Sequence, residues 1–468
     1  MSVLTDRGMR LLPLAAALSC ASPLQAATIA VNDASTEVIP GKCTLPSALA
    51  ALNSQTAVDG CVAGDGFIDT IDLSFFTEPT TIKFTDPSGV DGISALAFTK
   101  SAALIGPVDD NGKPFVTIAR DTAAARQFRV IGTSVDLSVQ NVIVSGGYVN
   151  AHGAGVYAGG NANIDIKNSI VTGNHTVATK VAGQFGGYYY AGYSGGGVAV
   201  MHGNVSISHS TISDNYSPTR GGGIYAAYSG TISLVTSTIS GNAAQTGGGA
   251  YAFGGSTSIT ASTVNNNYSY YYYISPPSRP HGSHRQPRGN PRQPRENTPS
   301  PVVFGYQAIT LTNSTVANNY GIGVGSNNDV GLIFSTISGN VIGVQGTSIA
   351  LVGSIASGDQ KSELYVFYQG SVGDDTTHPS IVNGLGSYGL SFLYCDPKLA
   401  PLADNGGPTR TMYPNQGSCA IDAGGSAPDG LSTDQRGLPR PAGVAVDIGA
   451  VEAQGIDFVF ADGFESSS

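Results

Sequence analysis

The sequence predicts an all-β chain wound into a single-stranded, right-handed parallel β-helix, with a helical cap at its N-terminal end and a cap region at its C-terminal end. Three observations carry this. The phrase "STISDN" (210–215) returns as "STISGN" at 237–242 and 335–340, with near copies "STVNNN" (262–267) and "STVANN" (314–319). An alternating apolar pair precedes each copy. A glycine run separates several of them, as in "GAGVY" (153–157), "GGGVA" (195–199), "GGGIY" (221–225) and "GGGAY" (247–251). A catalytic motif is written once, whereas a surface that stacks on itself is written many times.

Residues 1–26 read as an export signal. Arg7 and Arg10 precede the apolar run "LLPLAAALSCASPLQA" (11–26), and cleavage is expected near Ala26. The mature chain is therefore expected outside the cell or on its outer surface, with no further run long and apolar enough for a membrane helix. Residues 27–130 read as the N-terminal cap and first rungs. There "CTLPSALAALN" (43–53) suits a short helix, and "DTIDLSF" (69–75) and "ALIGP" (103–107) suit early strands. An open solenoid end needs such a cover, because its strand edge would otherwise pair with another chain.

The repeat core is placed at 131–360. Aligned on the apolar residue of "TIS", its copies give the triplets Leu137/Val139/Val144, Ile164/Ile166/Val171, Val205/Ile207/Ile212 and Ile232/Leu234/Ile239. Ile309/Leu311/Val316, Val330/Leu332/Ile337 and Ile349/Leu351/Ala356 follow, with Thr257/Ile259/Val264 as a weaker copy. The first two members alternate as in a strand, and the odd interval to the third requires a bend. Asn174, Asn215, Asn242, Asn267, Asn319 and Asn340 each stand three residues after the third member. An amide both donates and accepts, so asparagines stacked at one turn form a ladder. Glycine supplies the next corner.

The steps between triplets are 27, 41, 27, 25, 52, 21 and 19 residues. The 41-residue step holds an extra loop at 177–195. The 52-residue step holds a Pro- and Arg-rich insertion at 268–303, whose prolines cannot join a ladder. Three readings of that insertion stay open: a projecting loop, a local reading-frame shift that replaced one rung, or a basic aromatic arm. A leucine-rich repeat or a propeller blade would need other periods.

Composition limits the function. Charged residues are 12% of the chain and the net charge is −10, which argues against a nucleic-acid partner. Beyond the signal, Cys43, Cys61, Cys395 and Cys419 fall as one pair near each end. Neighbour pairing, Cys43 with Cys61 and Cys395 with Cys419, is the simplest of three connectivities in an oxidising compartment. No Cys/His spacing suggests a metal.

The glycine runs and apolar-x-x-Asn turns resemble the repeats of polymorphic outer membrane proteins over about 130–360, with Ile or Val in place of Phe. Residues 43–53 partly resemble the Cys-Ser-Leu-Arg-Glu-Ala signature of secreted β-helix proteins, with Pro46 and Ser47 at the Arg-Glu positions. "DPKLAPLADNGGPTRTM" (396–412), "SCAIDAG" (418–424), "TDQRG" (433–437), "RP" (440–441) and "DIGAVE" (447–452) resemble the choice-of-anchor Q region of secreted bacterial β-helix proteins. That resemblance places a cap at 361–455, followed by a short tail at 456–468. Together these likenesses imply a secreted, pectin-lyase-like β-helix protein.

This fold hosts lyases, hydrolases and adhesins, so the site must decide. Asp136 with Asp165 and His209 with Asp214 are the acid–base candidates of the core. Ca²⁺ enters only under a lyase reading, and no other cofactor is expected. Tyr188, Tyr189, Tyr190 and Tyr193 are candidates for sugar contact, since an aromatic side chain joins an apolar face to a polar edge. "GYSGG" (192–196) fits a nucleophile motif at Ser194 but lies in a glycine-rich loop, not at a strand-to-helix elbow. Asp434, Arg436 and Asp447 read as a buried ion pair that orders the cap. The expected function is non-enzymatic adhesion to polysaccharide or surface glycan by a monomer. The alternatives are a polysaccharide lyase or hydrolase, and a structural envelope component.

Overall fold

The computed structural model describes residues 26–182, 188–271, 298–383, 392–428 and 430–454. Residues 1–25 of the expected export signal (1–26), most of the Pro/Arg-rich insertion and the terminal tail lie outside the described residues.

The strands stack as three parallel ladders around one apolar core, forming a right-handed parallel β-helix. One turn in the middle of the stack illustrates the path. A glycine corner leads into Ile224–Ala226 on the first face, then Ile232–Val235 on the second, a tight bend, and Thr238–Ser240 on the third. The third face holds eleven strands from Thr80–Phe84 to Ile381–Val382. The apolar triplets stand in register. Leu137, Ile164, Val205, Ile232, Thr257, Ile309, Val330 and Ile349 lie on successive rungs of the second face. The core is thus columns of like residues, the arrangement that a repeated short phrase favours.

The Asn residues form a continuous buried ladder. The side-chain amide of Asn174 donates to Oδ1 of Asn215 at 3.0 Å, and the same bond links Asn215, Asn242, Asn267, Asn319 and Asn340 in turn. The last donor ends on Asp359 Oδ1 at 3.0 Å. A second ladder runs along the bend between the second and third faces. Backbone N–H groups of Ser169, Ser210, Ser237, Ser262, Ser314, Ser335 and Ser354 each donate to the next serine Oγ, ending at Ser380. This explains the first letter of "STIS", which the sequence reading left without a role. The last glycine of a corner is constrained as well: a Cβ on Gly223 would lie 2.5 Å from the Gly249 carbonyl and 3.1 Å from the Asn242 amide.

The helix Leu45–Ser54 starts at an N-capping Thr44 and lays Leu45, Ala48, Leu49 and Leu52 into the core at the N-terminal end. Two disulfides close, Cys43–Cys61 and Cys395–Cys419. The loop expected at 177–195 contains an antiparallel hairpin, Ala178–Ala182 with Tyr188–Gly192.

Strand pairing continues beyond 360, through Ser362–Asp374 and Ile381–Val382. The chain from 392 then folds back along the third face. Gln435 bonds Thr263 and Thr315, Asn313 reaches the Thr433 carbonyl, and Thr336 Oγ1 accepts from Ala450 N. The C-terminal lobe therefore covers the side of the later rungs as well as pairing at their end, where Ile381 bridges Leu393.

Candidate functional site

The acid–base candidates of the sequence do not converge. Asp136 Oδ1 accepts from the backbone and side-chain amides of Asn163, at 2.7 and 3.0 Å. Asn163 in turn receives Asn204, and Asn204 receives Thr231, so Asp136 ends an exposed polar ladder. Asp165 pairs with Lys167 of its own strand at 2.5 Å. His209 sits in the bend before Thr211–Ser213 and Asp214 in the turn after it, so the strand separates them. Each of these groups lies on the polar surface of the coil.

A different constellation does form, on the outside of the first face. Alternation points Ile224 inward and therefore Tyr225 outward. The outward column runs Tyr157, Ala199, Tyr225, Tyr251, Phe304 on consecutive rungs. Tyr225 and Tyr251 rings lie 5.7 Å apart, Tyr251 and Phe304 5.2 Å, and Phe304 and Tyr306 5.4 Å. At the Ala199 rung, where the column offers only a methyl, the His152 ring stacks on Tyr225 at 5.8 Å and meets Tyr193 edge-on at 5.3 Å. Two guanidiniums flank the strip. Arg129 lies over Tyr157 at 4.3 Å and 3.8 Å from Asp91, and Arg220 lies over Tyr251 at 5.4 Å.

The electrostatics favour holding over proton transfer. Burial keeps His152 below the ordinary imidazole range, so the ring is neutral near pH 7. Its Nδ1 accepts the Ser194 N–H at 3.0 Å, which places the ring proton on Nε2. His152 is thereby a donor at its other nitrogen, not a base. Burial also raises the phenols of Tyr225 and Tyr251, which stay protonated. Ser194 Oγ bonds Thr219 at 3.2 Å and not the imidazole, so the "GYSGG" segment carries no serine–histidine pair.

Of the tyrosines singled out in the sequence, Tyr193 joins this strip. The side chains of Tyr188, Tyr189 and Tyr190 lie outside what the structure describes. Tyr225, Tyr251, His152 and Arg129 were missed. The signal for the first two was present, because Tyr ends "GGGIY" and "GGGAY", and strand alternation sends it outward. His152 comes from a loop, and Arg129 from the start of the strand Arg129–Thr133, ahead of the first repeat copy.

Asp434 and Arg436 form a buried pair, Nε to Oδ2 at 2.9 Å, beside a second pair between Arg440 and Glu452 at 3.3 Å. Asp447 sits apart from Arg436's carboxylate partner. It accepts the Asp422 and Ala453 N–H groups, and burial pushes it up to about 6. The trio belongs to the packing of the lobe. Among the described residues no group of three or more His, Cys, Asp or Glu side chains could hold a metal ion.

The fold defines a class: the right-handed parallel β-helix of the pectate lyase type. The crystal structure of pectate lyase Pel9A matches with a TM-score of 0.51 at 14% identity, covering 92% of this chain and 97% of that chain. At that identity the likeness shows the fold alone. No family model matches the sequence, and no curated protein matches it.

Proposed function

We propose that this chain is an exported β-helix protein that holds polysaccharide on its outer surface without cleaving it. The observation that carries the reading is the first-face strip. Rings in contact run from His152 to Tyr306; buried Tyr225 and Tyr251 form the floor, and half-buried His152 and Phe304 and exposed Tyr306 form the rim that offers apolar faces. The exposed guanidinium of Arg220 and the Nε2–H of His152 add donors for hydroxyl or carboxylate oxygens. The two disulfides fit an oxidising exterior. The likenesses to polymorphic outer membrane protein repeats and to choice-of-anchor Q belong to this reading, as do the export signal and the monomeric state.

A second reading, a polysaccharide lyase, is favoured by the fold shared with Pel9A and by guanidiniums beside phenols. The tautomer of His152 weighs against it. The test incubates the mature chain, residues 27–468, with neutral and acidic polysaccharides, with and without Ca²⁺, and follows retention and chain length together. Retention without shortening, weakened about tenfold by Tyr306→Ala or Arg220→Ala, is expected. Shortening of any chain would establish the enzyme instead. Neither effect across the panel would leave a structural envelope component.

A further inference from the structure

One carboxylate stands where the coil's pattern calls for an apolar side chain. Toward the N-terminal end, the inward column of the second face runs Val205, Ile164, Leu137, Ala102 and then Asp69. Alternation with Ile71 turns Asp69 inward, and it is fully buried. Its Oδ1 accepts the Ala27 N–H at 3.1 Å, its Oδ2 accepts from Gln55 Nε2 at 3.2 Å, and the Asp65 N–H lies 3.4 and 3.2 Å from the two oxygens. All three donors are neutral amides. Among the described residues no Lys, Arg or His pairs with Asp69. A buried carboxylate without a cation is costly, so its presence in an apolar column asks for a reason.

The backbone nitrogen that meets Asp69 belongs to the residue at which the mature chain is expected to begin. The Ala27 carbonyl accepts the Thr70 N–H at 2.8 Å, and Thr28–Ala30 then pairs with Asp69–Asp72. Ala26 is exposed and Ala27 half-buried. Among the described residues Ala27 is thus the first that the coil holds by its backbone. We propose that the 26–27 bond is the processing site and that Asp69 is the receptor for the α-ammonium group that processing creates. The inference rests on the export-signal part of the function proposed above and is independent of what the outer surface binds.

In the step, a peptidase of the export machinery adds water across the Ala26–Ala27 peptide bond. The hydroxyl goes to the Ala26 carbonyl carbon. The freed Ala27 nitrogen keeps the other hydrogen of the water and takes up one more proton from solvent, as an α-amino group does near pH 7. An uncharged amide with one N–H becomes an ammonium with three, against the same carboxylate oxygen. A charge-assisted hydrogen bond is about twice as strong as a neutral one, and the buried carboxylate acquires its cation. Before cleavage the cluster is also one donor short, because Gln55 Oε1 is buried without a partner. Gln55 is the C-capping residue of the helix Leu45–Ser54. The pair therefore ties the leading strand, the helical cover and the first rung together, and the cover is tightest only once the export signal is gone.

Two measurements test this. Mass spectrometry of the exported protein reads its first residue, which should be Ala27. Hydrogen exchange over 28–31 and 69–73 is then compared at about pH 6.5, where an α-amino group is protonated. The chains compared are the mature protein with a free Ala27 amine, the same protein acetylated at that nitrogen, and both forms of Asp69→Asn. Acetylation keeps the N–H and removes only the charge, so a carboxylate that merely orders the loop would not respond to it. Exchange should be about tenfold slower with the free amine, and the difference should vanish in Asp69→Asn. If Asp69→Asn does not fold, the free and acetylated forms of the natural chain decide the matter alone. Equal exchange in those two forms, or the same difference persisting in Asp69→Asn, would overturn the receptor. A first residue other than Ala27 would overturn the processing site, and retention of residues 1–26 would sink the export reading with it. A chain that begins at Ala27 but shows no exchange difference sinks this inference and leaves that reading standing.

Discussion

The middle rungs and the C-terminal lobe solve the same problem, buried polar groups, in opposite ways. From 164 to 340 the buried polar side chains are uncharged amides and hydroxyls, and those of the Asn and Ser ladders are answered by their copies one rung away. In the lobe they are charged. Asp434, Arg436, Arg440, Asp447 and Glu452 are each at most 7% exposed, and their partners come from irregular loops. A repeat can satisfy a group with itself only if that group both donates and accepts, as Asn and Ser do. Like charges stacked at about 4.8 Å would repel. The lobe has no repeat, so it can use ion pairs, and it depends on each one individually.

That contrast yields three expectations, largest first. Arg436→Met strips the buried Asp434 of its partner and should destabilise the lobe by about 3–5 kcal/mol. Hydrogen exchange should rise over 392–454 while 164–267 stays protected, and equal exchange in both would break the distinction. The second concerns pH. Asp447 is raised from 3.8 to about 6 in the folded lobe, so its contribution is fully present below pH 3.8 and is lost as pH rises through 6. The loss amounts to about 3 kcal/mol. Asp359 and Glu363, where the Asn ladder ends, are raised in the same direction, both first by burial, with the neighbouring Glu363 adding to the rise of Asp359. Exchange over the last rungs and the lobe should therefore be faster at pH 7 than at pH 4, with the middle rungs insensitive. A uniform pH response would erase the difference. Third, Asn242→Ala removes one ladder member and leaves the Asn215 amide without its acceptor, at a cost of about 2 kcal/mol. Because each rung contacts only its neighbours, protection should fall on the adjacent rungs and not in the lobe.

The coil was legible because its signal is periodic. Val205, Ile207 and Ile212 announce two strands and a bend, and Asn215 announces the turn, so register followed from alignment of the chain with itself. The Ser ladder was equally present in "STIS" but unread, since a serine before a strand has many uses. The first-face strip was half legible. Tyr225 and Tyr251 follow from alternation, whereas His152 reaches Tyr225 from a loop 73 residues earlier. Asp136, Asp165, His209 and Asp214 were chosen for their chemistry, but chemistry alone does not say that Asp136 is already answered by Asn163 and Asp165 by Lys167.

By itself the sequence determined the three-faced coil, the inward columns, the Asn ladder and the helical cover at the N-terminal end, because each depends on a local pattern repeated at a distance set by the rung. Only the tertiary structure decided which outward residues meet. The stacking of His152 on Tyr225 and the return of Gln435 to Thr263 and Thr315 join segments whose separation carries no period. Contacts of that kind are selected by shape and hydrogen bonding after the coil has formed.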